Sequence, residues 1–139
     1  MILLDTSGLL SAIDESQRHH AACAEVLSQA IPPLLLSPFV LAELDYLLAT
    51  QVDARAQLAL VDEVAGGVYR LESFSALDVA VASDVMRRYS DLAIGLADAS
   101  IVVLAERHGT RDVLTLDERH FRTLRAAAGK RFRLLPADR

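Results

Sequence analysis

Four acidic residues stand in surroundings that are otherwise apolar. Asp5 and Asp117 each directly follow a short apolar run, Asp98 lies near the start of a predicted helix, and Glu43 lies in the middle of another. A carboxylate that loses its hydration needs a cation nearby to offset the cost. If the four side chains converge, their mutual repulsion raises their pKa values, and a divalent ion removes this conflict. The set therefore predicts a divalent-cation site.

The residue types available for this site favour Mg²⁺ or Mn²⁺. Carboxylate oxygens are typical ligands of hard cations, whereas zinc sites normally include histidine or cysteine. One such cation can generate a nucleophilic water and a second can stabilise a leaving oxygen, which is the chemistry of phosphodiester hydrolysis. The chain has one cysteine, Cys23, and its four histidines lack the spacing of a zinc motif: His19, His20, His108 and His120.

Each acid also has a purely structural interpretation. Asp5 and Asp117 could cap helices, and Asp98 could be an ordinary acid in a first helical turn. Glu43 is harder to explain in this way, because we expect it to be half-buried on an apolar helix face, while Asp45 on the same helix should be solvated. The neighbours of Glu43 at helical spacing are Phe39, Val40, Tyr46 and Leu47.

The elements that must position these acids alternate between short apolar runs and helices. This alternation is typical of an α/β protein with a mostly parallel sheet, in which sites form beyond the carboxyl ends of the strands. We therefore expect the site at the edge where Asp5 and Asp117 follow their strands. The predicted strands are residues 1–4, 34–36, 68–71, 112–116 and 132–135, and the predicted helices are 7–13, 17–30, 38–51, 53–65, 75–89 and 95–108.

The composition fits one folded domain over residues 1–139. Hydrophobic residues make up 53% of the chain and charged residues 24%, which excludes an intrinsically disordered or low-complexity protein. A single cysteine excludes an internal disulfide and indicates a reducing compartment. The opening residues lack the features of a signal peptide, and the apolar stretch 92–105 is too short to span a membrane. We expect a cytoplasmic protein with no membrane contact.

Charge is distributed unequally along the chain, whose net charge is −5. Residues 1–106 contain 15 acidic and 5 basic residues, a net charge of −10, whereas residues 107–139 contain 4 acidic and 9 basic residues, a net charge of +5. The acidic part can hold cations, and the basic end can meet an anion such as a nucleic-acid backbone.

The four acids lie in four characteristic segments, which are Ile2-Leu3-Leu4-Asp5-Thr6-Ser7, Val40-Leu41-Ala42-Glu43-Leu44, Gly95-Leu96-Ala97-Asp98-Ala99 and Leu114-Thr115-Leu116-Asp117-Glu118-Arg119-His120-Phe121. In this order, the segments resemble those of PIN-domain ribonucleases, and most closely the VapC toxins of prokaryotic VapBC toxin–antitoxin pairs. The resemblance implies an α/β/α sandwich around a five-stranded, mostly parallel sheet. It also implies that Asp5, Glu43, Asp98 and Asp117 form an acidic pocket for Mg²⁺ or Mn²⁺.

The same resemblance implies roles for residues beyond the ligands. Ser7 and Thr115 match polar positions that orient waters or carboxylates in similar proteins, although a helix cap and a strand-end hydroxyl would explain them equally. Metal ions held by Asp5, Asp98 and Asp117 would bind the scissile phosphate, and Glu43 would hold a water or accept its proton. The candidates for contacts to the RNA backbone are Arg111, Arg119, Arg122, Arg125, Lys130, Arg131 and Arg133.

The partners implied by the resemblance are a structured RNA, such as tRNA or ribosomal RNA, a second copy of the chain, and a VapB-type antitoxin. Such an antitoxin covers the acidic pocket with its C-terminal segment. The predicted helices 17–30, 38–51 and 53–65 are rich in alanine and leucine, which suits a groove for a partner helix. Ordinary packing between these helices would explain the same pattern.

The alternative interpretation is a non-catalytic PIN-like module that binds RNA or protein. Acids on apolar faces argue against it, because a pure binding module has no need of buried anions. A phosphatase of the haloacid dehalogenase type needs an Asp-x-Asp pair where this chain has Asp5-Thr6-Ser7. A receiver domain needs an acid pair and a lysine at a strand end, and Lys130 is poorly placed for that role.

Overall fold

The computed structural model describes residues 1–139 and contains one sheet of five parallel strands in the order β3-β2-β1-β4-β5. The central strand β1 pairs with β2 on one side and with β4 on the other, so the strand order reverses beside β1. Both faces of the sheet are covered by helices, which confirms the predicted α/β/α architecture. The strands are β1 (Ile2–Leu4), β2 (Leu34–Leu36), β3 (Arg70–Leu71), β4 (Asp112–Leu114) and β5 (Arg133–Leu135).

Seven α-helices connect and flank these strands. Their starts follow local signals: Ser37 accepts a hydrogen bond from the backbone N–H of Phe39, and Ser75 forms a capping box with Asp78. None of the helices is long and apolar enough to cross a membrane. The helices are α1 (Thr6–Ile13), α2 (His20–Gln29), α3 (Pro38–Gln51), α4 (Ala54–Ala65), α5 (Ala76–Arg88), α6 (Leu96–His108) and α7 (Glu118–Phe121), with 3₁₀ turns at Ser90–Leu92 and Ala127–Gly129.

Three predicted boundaries differ from the structure by more than one residue. Helix α2 begins at His20 rather than at residue 17, because the Asp14 carboxylate accepts hydrogen bonds from Ser16 and Gln17 and holds a turn there. Strands β3 and β4 are shorter than predicted, since the chain enters the sheet late at β3 and leaves it early at β4. Helix α7, a single turn after β4, was not predicted.

Gly8 brings α1 against β4, next to the expected site. A Cβ atom at this position would lie 2.4 Å from the carbonyl oxygen of Leu114 and 2.6 Å from its carbonyl carbon. Only glycine permits this close approach of two backbones. The contact places the start of α1 directly beside the residues that follow β4.

Candidate active site

The residues of the candidate site meet at the carboxyl ends of β1 and β4. These strands pair in parallel, with Leu4 opposite Leu114, so Asp5 and Thr115 leave the sheet side by side. The first turn of α6 adds Asp98 from a third element. The pairing of β1 with β4 and the position of α6 therefore bring Asp5 together with Asp98 and Thr115, which lie more than 90 positions away in the sequence.

Asp5 is the most buried acid of the site, with 5% of its surface exposed. Its Oδ2 accepts hydrogen bonds from Thr115 Oγ1 at 2.6 Å and from Ser7 Oγ at 2.8 Å. Burial raises the pKa of Asp5, the two hydroxyl groups oppose this shift, and the charge of Asp117 adds to it. Asp5 is thus a fixed carboxylate whose negative charge lacks a compensating cation in the protein.

Ser7 and Thr115 also hold the chain that follows β4. The backbone N–H of Leu116 donates to Ser7 Oγ at 3.0 Å, and that of Asp117 donates to Thr115 Oγ1 at 2.9 Å. Neither Ser7 nor Thr6 caps α1, whose N-cap position is Asp5 without a side-chain cap. The two hydroxyls therefore orient the Asp5 carboxylate and the turn that carries Asp117.

Asp98 and Asp117 face the same atom of His120. Nδ1 of His120 lies 2.9 Å from Oδ2 of Asp98 and 2.9 Å from Oδ2 of Asp117. One ligand atom from each of these three side chains lies within 4.8 Å of the others. Burial, and then the negative charge of Asp5, raises the pKa of Asp98 to about 6.

His120 did not emerge as a site residue from the sequence, and neither did Thr6. A signal for His120 was present, because it follows Asp117 by three positions and one helical turn brings such residues onto the same face. Thr6 Oγ1 donates to Oε1 of Glu43 at 3.1 Å, which links α1 to α3. Helix α7 and the docking of α3 decide these contacts, and neither was foreseen.

The expected half-buried environment of Glu43 is wrong. Glu43 is exposed, because α3 turns Val40, Leu44 and Leu48 into the core and leaves the adjacent face, including Tyr46, in solvent. Asp45, expected to be solvated, is instead half-buried, and Oδ1 accepts a hydrogen bond from Nε2 of Gln57 on α4 at 2.8 Å.

Glu43 nevertheless stands near the other acids. Glu43 and Asp98 line one shallow pocket of about 340 Å³ between α3 and the start of α6. Asp5 is buried, Asp98 and Asp117 are half-buried, and Glu43 is exposed at the rim. The structure therefore gathers all four predicted acids into one region, at graded depth.

The donor set fits a divalent metal ion. Three carboxylates and two hydroxyl groups supply oxygen atoms. Burial first, and then neighbouring negative charge, raises the pKa values of Asp5 and Asp98. A cation held by these oxygens would remove the repulsion. Asp98 and Asp117 each place a carboxylate oxygen in the same cluster, and the charge of Asp5 acts on Asp98.

The predicted basic residues do not gather around the acids. Arg119 is exposed on α7, two positions after Asp117, whereas Arg111 and Arg133 lie at the amino ends of β4 and β5, the opposite edge of the sheet. Lys130 lines a pocket with Arg111, and Arg131 is exposed nearby in the chain.

Several of these basic residues already have partners within the protein. Arg122 pairs with Glu118 and Asp138, and Arg133 pairs with Asp112. The guanidinium group of Arg125 donates to three backbone carbonyls. Within the cluster, Arg119 is the basic residue placed nearest in the chain to the acidic site without such a partner.

Comparison with known proteins identifies the family. The family model described as PIN domain matches residues 2–127. Ribonuclease VapC26 of Mycobacterium tuberculosis (strain ATCC 25618 / H37Rv) is 44% identical over 135 residues, which cover 97% of this chain and 100% of that protein.

Two solved structures share the fold. The crystal structure of Mycobacterium tuberculosis VapC20, described as a sarcin–ricin loop cleaving toxin, superposes with a TM-score of 0.79 at 21% identity, covering 84% of this chain and 90% of that one. FitAcB from Neisseria gonorrhoeae superposes with a TM-score of 0.56 at 23% identity, covering 81% and 88%. The chain therefore belongs to the PIN-domain family and is a relative of the VapC ribonucleases.

Proposed function

We propose that this chain is a metal-dependent endoribonuclease and the toxin of a toxin–antitoxin pair. The observation that carries the proposal is the cluster of Asp98, Asp117 and His120 beyond β1 and β4. Asp5, at the end of β1, lies close enough for its charge to raise the pKa of Asp98. Its relative VapC26 is named a ribonuclease, and VapC20 a toxin that cleaves the sarcin–ricin loop. We extend this chemistry to the present chain, with a structured RNA, tRNA or ribosomal RNA, as the substrate class.

The oxygen-rich donor set favours Mg²⁺ or Mn²⁺ as the cation held by Asp5, Asp98 and Asp117. When bound, such an ion supplies Lewis-acid stabilisation of the scissile phosphate and of the attacking water. Glu43 is exposed at the rim, and Thr6 donates a hydrogen bond to its Oε1. The carboxylate of Glu43 would accept the proton of that water. The hydrogen bonds from Ser7 and Thr115 would keep the Asp5 carboxylate oriented toward the cation.

Contacts to the RNA backbone are assigned first to Arg119, which is exposed on α7 two positions after Asp117. The acidic pocket by itself repels phosphate, so a cation at its rim favours approach of the substrate. Replacing Arg119 with glutamine should weaken RNA binding and reduce its dependence on salt. Arg111→Gln, at the opposite edge of the sheet, serves as the matched control. An equal loss of RNA binding in both variants would contradict the assignment of these contacts to Arg119.

The antitoxin is assigned to the exposed face of α3 and α4. Tyr46 is 67% exposed one turn after Glu43, and Leu58 on α4 is 61% exposed. An amphipathic partner segment on this face would bury apolar area and cover Glu43 at the same time. This arrangement would silence the enzyme by blocking its rim.

A homodimer is assigned to α5. Leu77 is 79% exposed and Val81 is 51% exposed, and these residues lie one turn apart on the same helix face. Large apolar side chains exposed together are typical of an interface rather than of a free surface.

The decisive experiment incubates the purified protein with total RNA in Mg²⁺, Mn²⁺ or EDTA and maps new ends by sequencing. Asp98→Asn is compared with Asp91→Asn, which removes the same charge from an exposed position in the 3₁₀ turn before α6. We expect a few discrete cuts that require both metal and Asp98 but not Asp91. RNA binding without cuts in any metal would instead favour the non-catalytic module.

A further inference from the structure

His120 occupies a position between two acids that come from different elements. Its Nδ1 lies at 2.9 Å from Asp98 Oδ2, on α6, and at 2.9 Å from Asp117 Oδ2, in the turn after β4. Ionised carboxylates only accept hydrogen bonds. When both carboxylates are ionised, Nδ1 of His120 can hydrogen-bond to Asp98 only as the donor.

Asp117 and His120 are held to each other twice. The backbone N–H of His120 donates to Asp117 Oδ1 at 3.0 Å, and its ring nitrogen faces Asp117 Oδ2. Both oxygens of this carboxylate are thus fixed by one residue, on a helix of a single turn. The backbone N–H and the ring of His120 thus contact the same carboxylate, that of Asp117.

Asp98 depends on the side chain of His120, whereas Asp117 is also held by the His120 backbone N–H. The ring of His120 is its side-chain hydrogen-bond partner in the protein, through Oδ2. Asp5, by contrast, is held by Thr115 and Ser7 without help from His120. Loss of the His120 side chain would release Asp98 and leave Asp5 in place.

We propose that His120 is the positioning residue of the acidic site: its Nδ1 hydrogen-bonds to Asp98, lies 2.9 Å from Asp117 Oδ2, and so holds the two carboxylates together for the cation. The carboxylates of Asp98 and Asp117, with ligand atoms within 4.8 Å of each other, repel, and the ring of His120 between them offsets that repulsion in the metal-free protein. This inference rests on the proposed function only in taking these carboxylates as ligands. His120 acts through Asp98 and Asp117 and does not itself coordinate the ion.

The first test measures Mn²⁺ affinity by isothermal titration calorimetry of the intact protein. His120→Leu removes the donor, His120→Asn retains an N–H donor close to the position of Nδ1, and His19→Leu removes an exposed histidine outside the site. Hydrogen-bond partners of metal ligands typically contribute about 10- to 100-fold in affinity. We expect His120→Leu to bind Mn²⁺ that much more weakly, with His120→Asn restored to near wild type and His19→Leu unchanged.

Two spectroscopic readouts separate a positioning role from coordination and from general loss of structure. Imidazole ¹⁵N NMR of the metal-free protein should show the hydrogen of His120 on Nδ1. Electron spin echo spectroscopy of the Mn²⁺-loaded protein should show no directly coordinated nitrogen. A coordinated nitrogen, a hydrogen on Nε2 alone, or a His120→Leu variant that binds Mn²⁺ like the wild type would each overturn the proposal.

The outcomes also distinguish this inference from the proposed function. If the wild type cuts RNA while His120→Leu retains full Mn²⁺ affinity, the positioning role fails and the nuclease stands. If the wild type binds Mn²⁺ with the expected dependence on His120 but cuts no RNA, the positioning role stands and the nuclease assignment fails. Thermal melting in EDTA establishes that each variant is folded before its affinity is compared.

Discussion

Replacing Asp98 with asparagine should make the metal-free protein more stable at neutral and alkaline pH. Burial, followed by the charge of Asp5, raises the pKa of Asp98 from 3.8 to about 6. The folded protein therefore holds this proton more tightly than the unfolded chain does, and ionising Asp98 lowers the free energy of unfolding. Asparagine carries no charge and still offers an oxygen acceptor to His120.

The size of the effect follows from the pKa shift. A shift of roughly two pKa units corresponds to about 3 kcal/mol of differential stability. Below the unfolded pKa of 3.8 the carboxyl group is protonated in both states, so its favourable contribution is complete there and is lost as the pH rises through about 6. The stability difference between variant and wild type should therefore grow from near zero at about pH 4 to about 3 kcal/mol at about pH 8.

The assay is equilibrium unfolding in urea with EDTA, followed by circular dichroism across this pH range. Asp91→Asn is the matched control, because it removes the same charge from an exposed residue. Adding Mg²⁺ or Mn²⁺ should reverse the order, since a ligand that binds only the native wild-type site stabilises that protein alone. A constant difference between Asp98→Asn and the wild type at every pH in EDTA would refute the reasoning.

Three further predictions concern other parts of the molecule. Gly8→Ala should lower the free energy of unfolding by about 1–3 kcal/mol or more, because the new methyl group meets the Leu114 backbone. Gly95→Ala is the control for the same urea titration, because its methyl group meets no atom within 4 Å and should leave the stability nearly unchanged. Glu72→Gln should cost about 1.5–3 kcal/mol at neutral pH. Burial alone would raise the pKa of Glu72, but hydrogen bonds and charges from His108, Arg107 and Arg70 lower it overall. The stability difference between Glu72→Gln and the wild type should therefore shrink as the pH falls through the lowered pKa of Glu72. Leu77→Glu should convert the proposed homodimer to a monomer in light scattering, and a dimer that persists would exclude α5 as the interface.

Local signals in the sequence predicted most element boundaries, because their physical causes lie within a few residues. Ser37 before Pro38 starts α3, and the capping box at Ser75 starts α5. Gly109, with a φ of 64°, ends α6 where the pattern places its end. The late start of α2 was missed, since competing hydrogen bonds to Asp14 decide it and no periodicity reports them.

The candidate acids were predictable for a related reason. Asp5 and Asp117 follow apolar strand residues directly, and parallel strands bring their carboxyl ends to one edge. The sequence could therefore predict that these two residues meet, and it could name Asp98 from its place at a helix start. It could not rank their burial, which separates the deeply buried Asp5 from the exposed Glu43.

The sequence by itself determined which residues could carry the chemistry, the class of cation they suit, and the alternating α/β order that brings strand ends together. Tertiary structure decided three further features: the rotation of α3 that exposes Glu43, the bridge from His120 to Asp98, and the separation of Arg111 from Arg119 across the sheet. The physical reason is one of range. Caps and periodicity act between residues a few positions apart, whereas these three features depend on packing between elements distant in the chain, which no local pattern encodes.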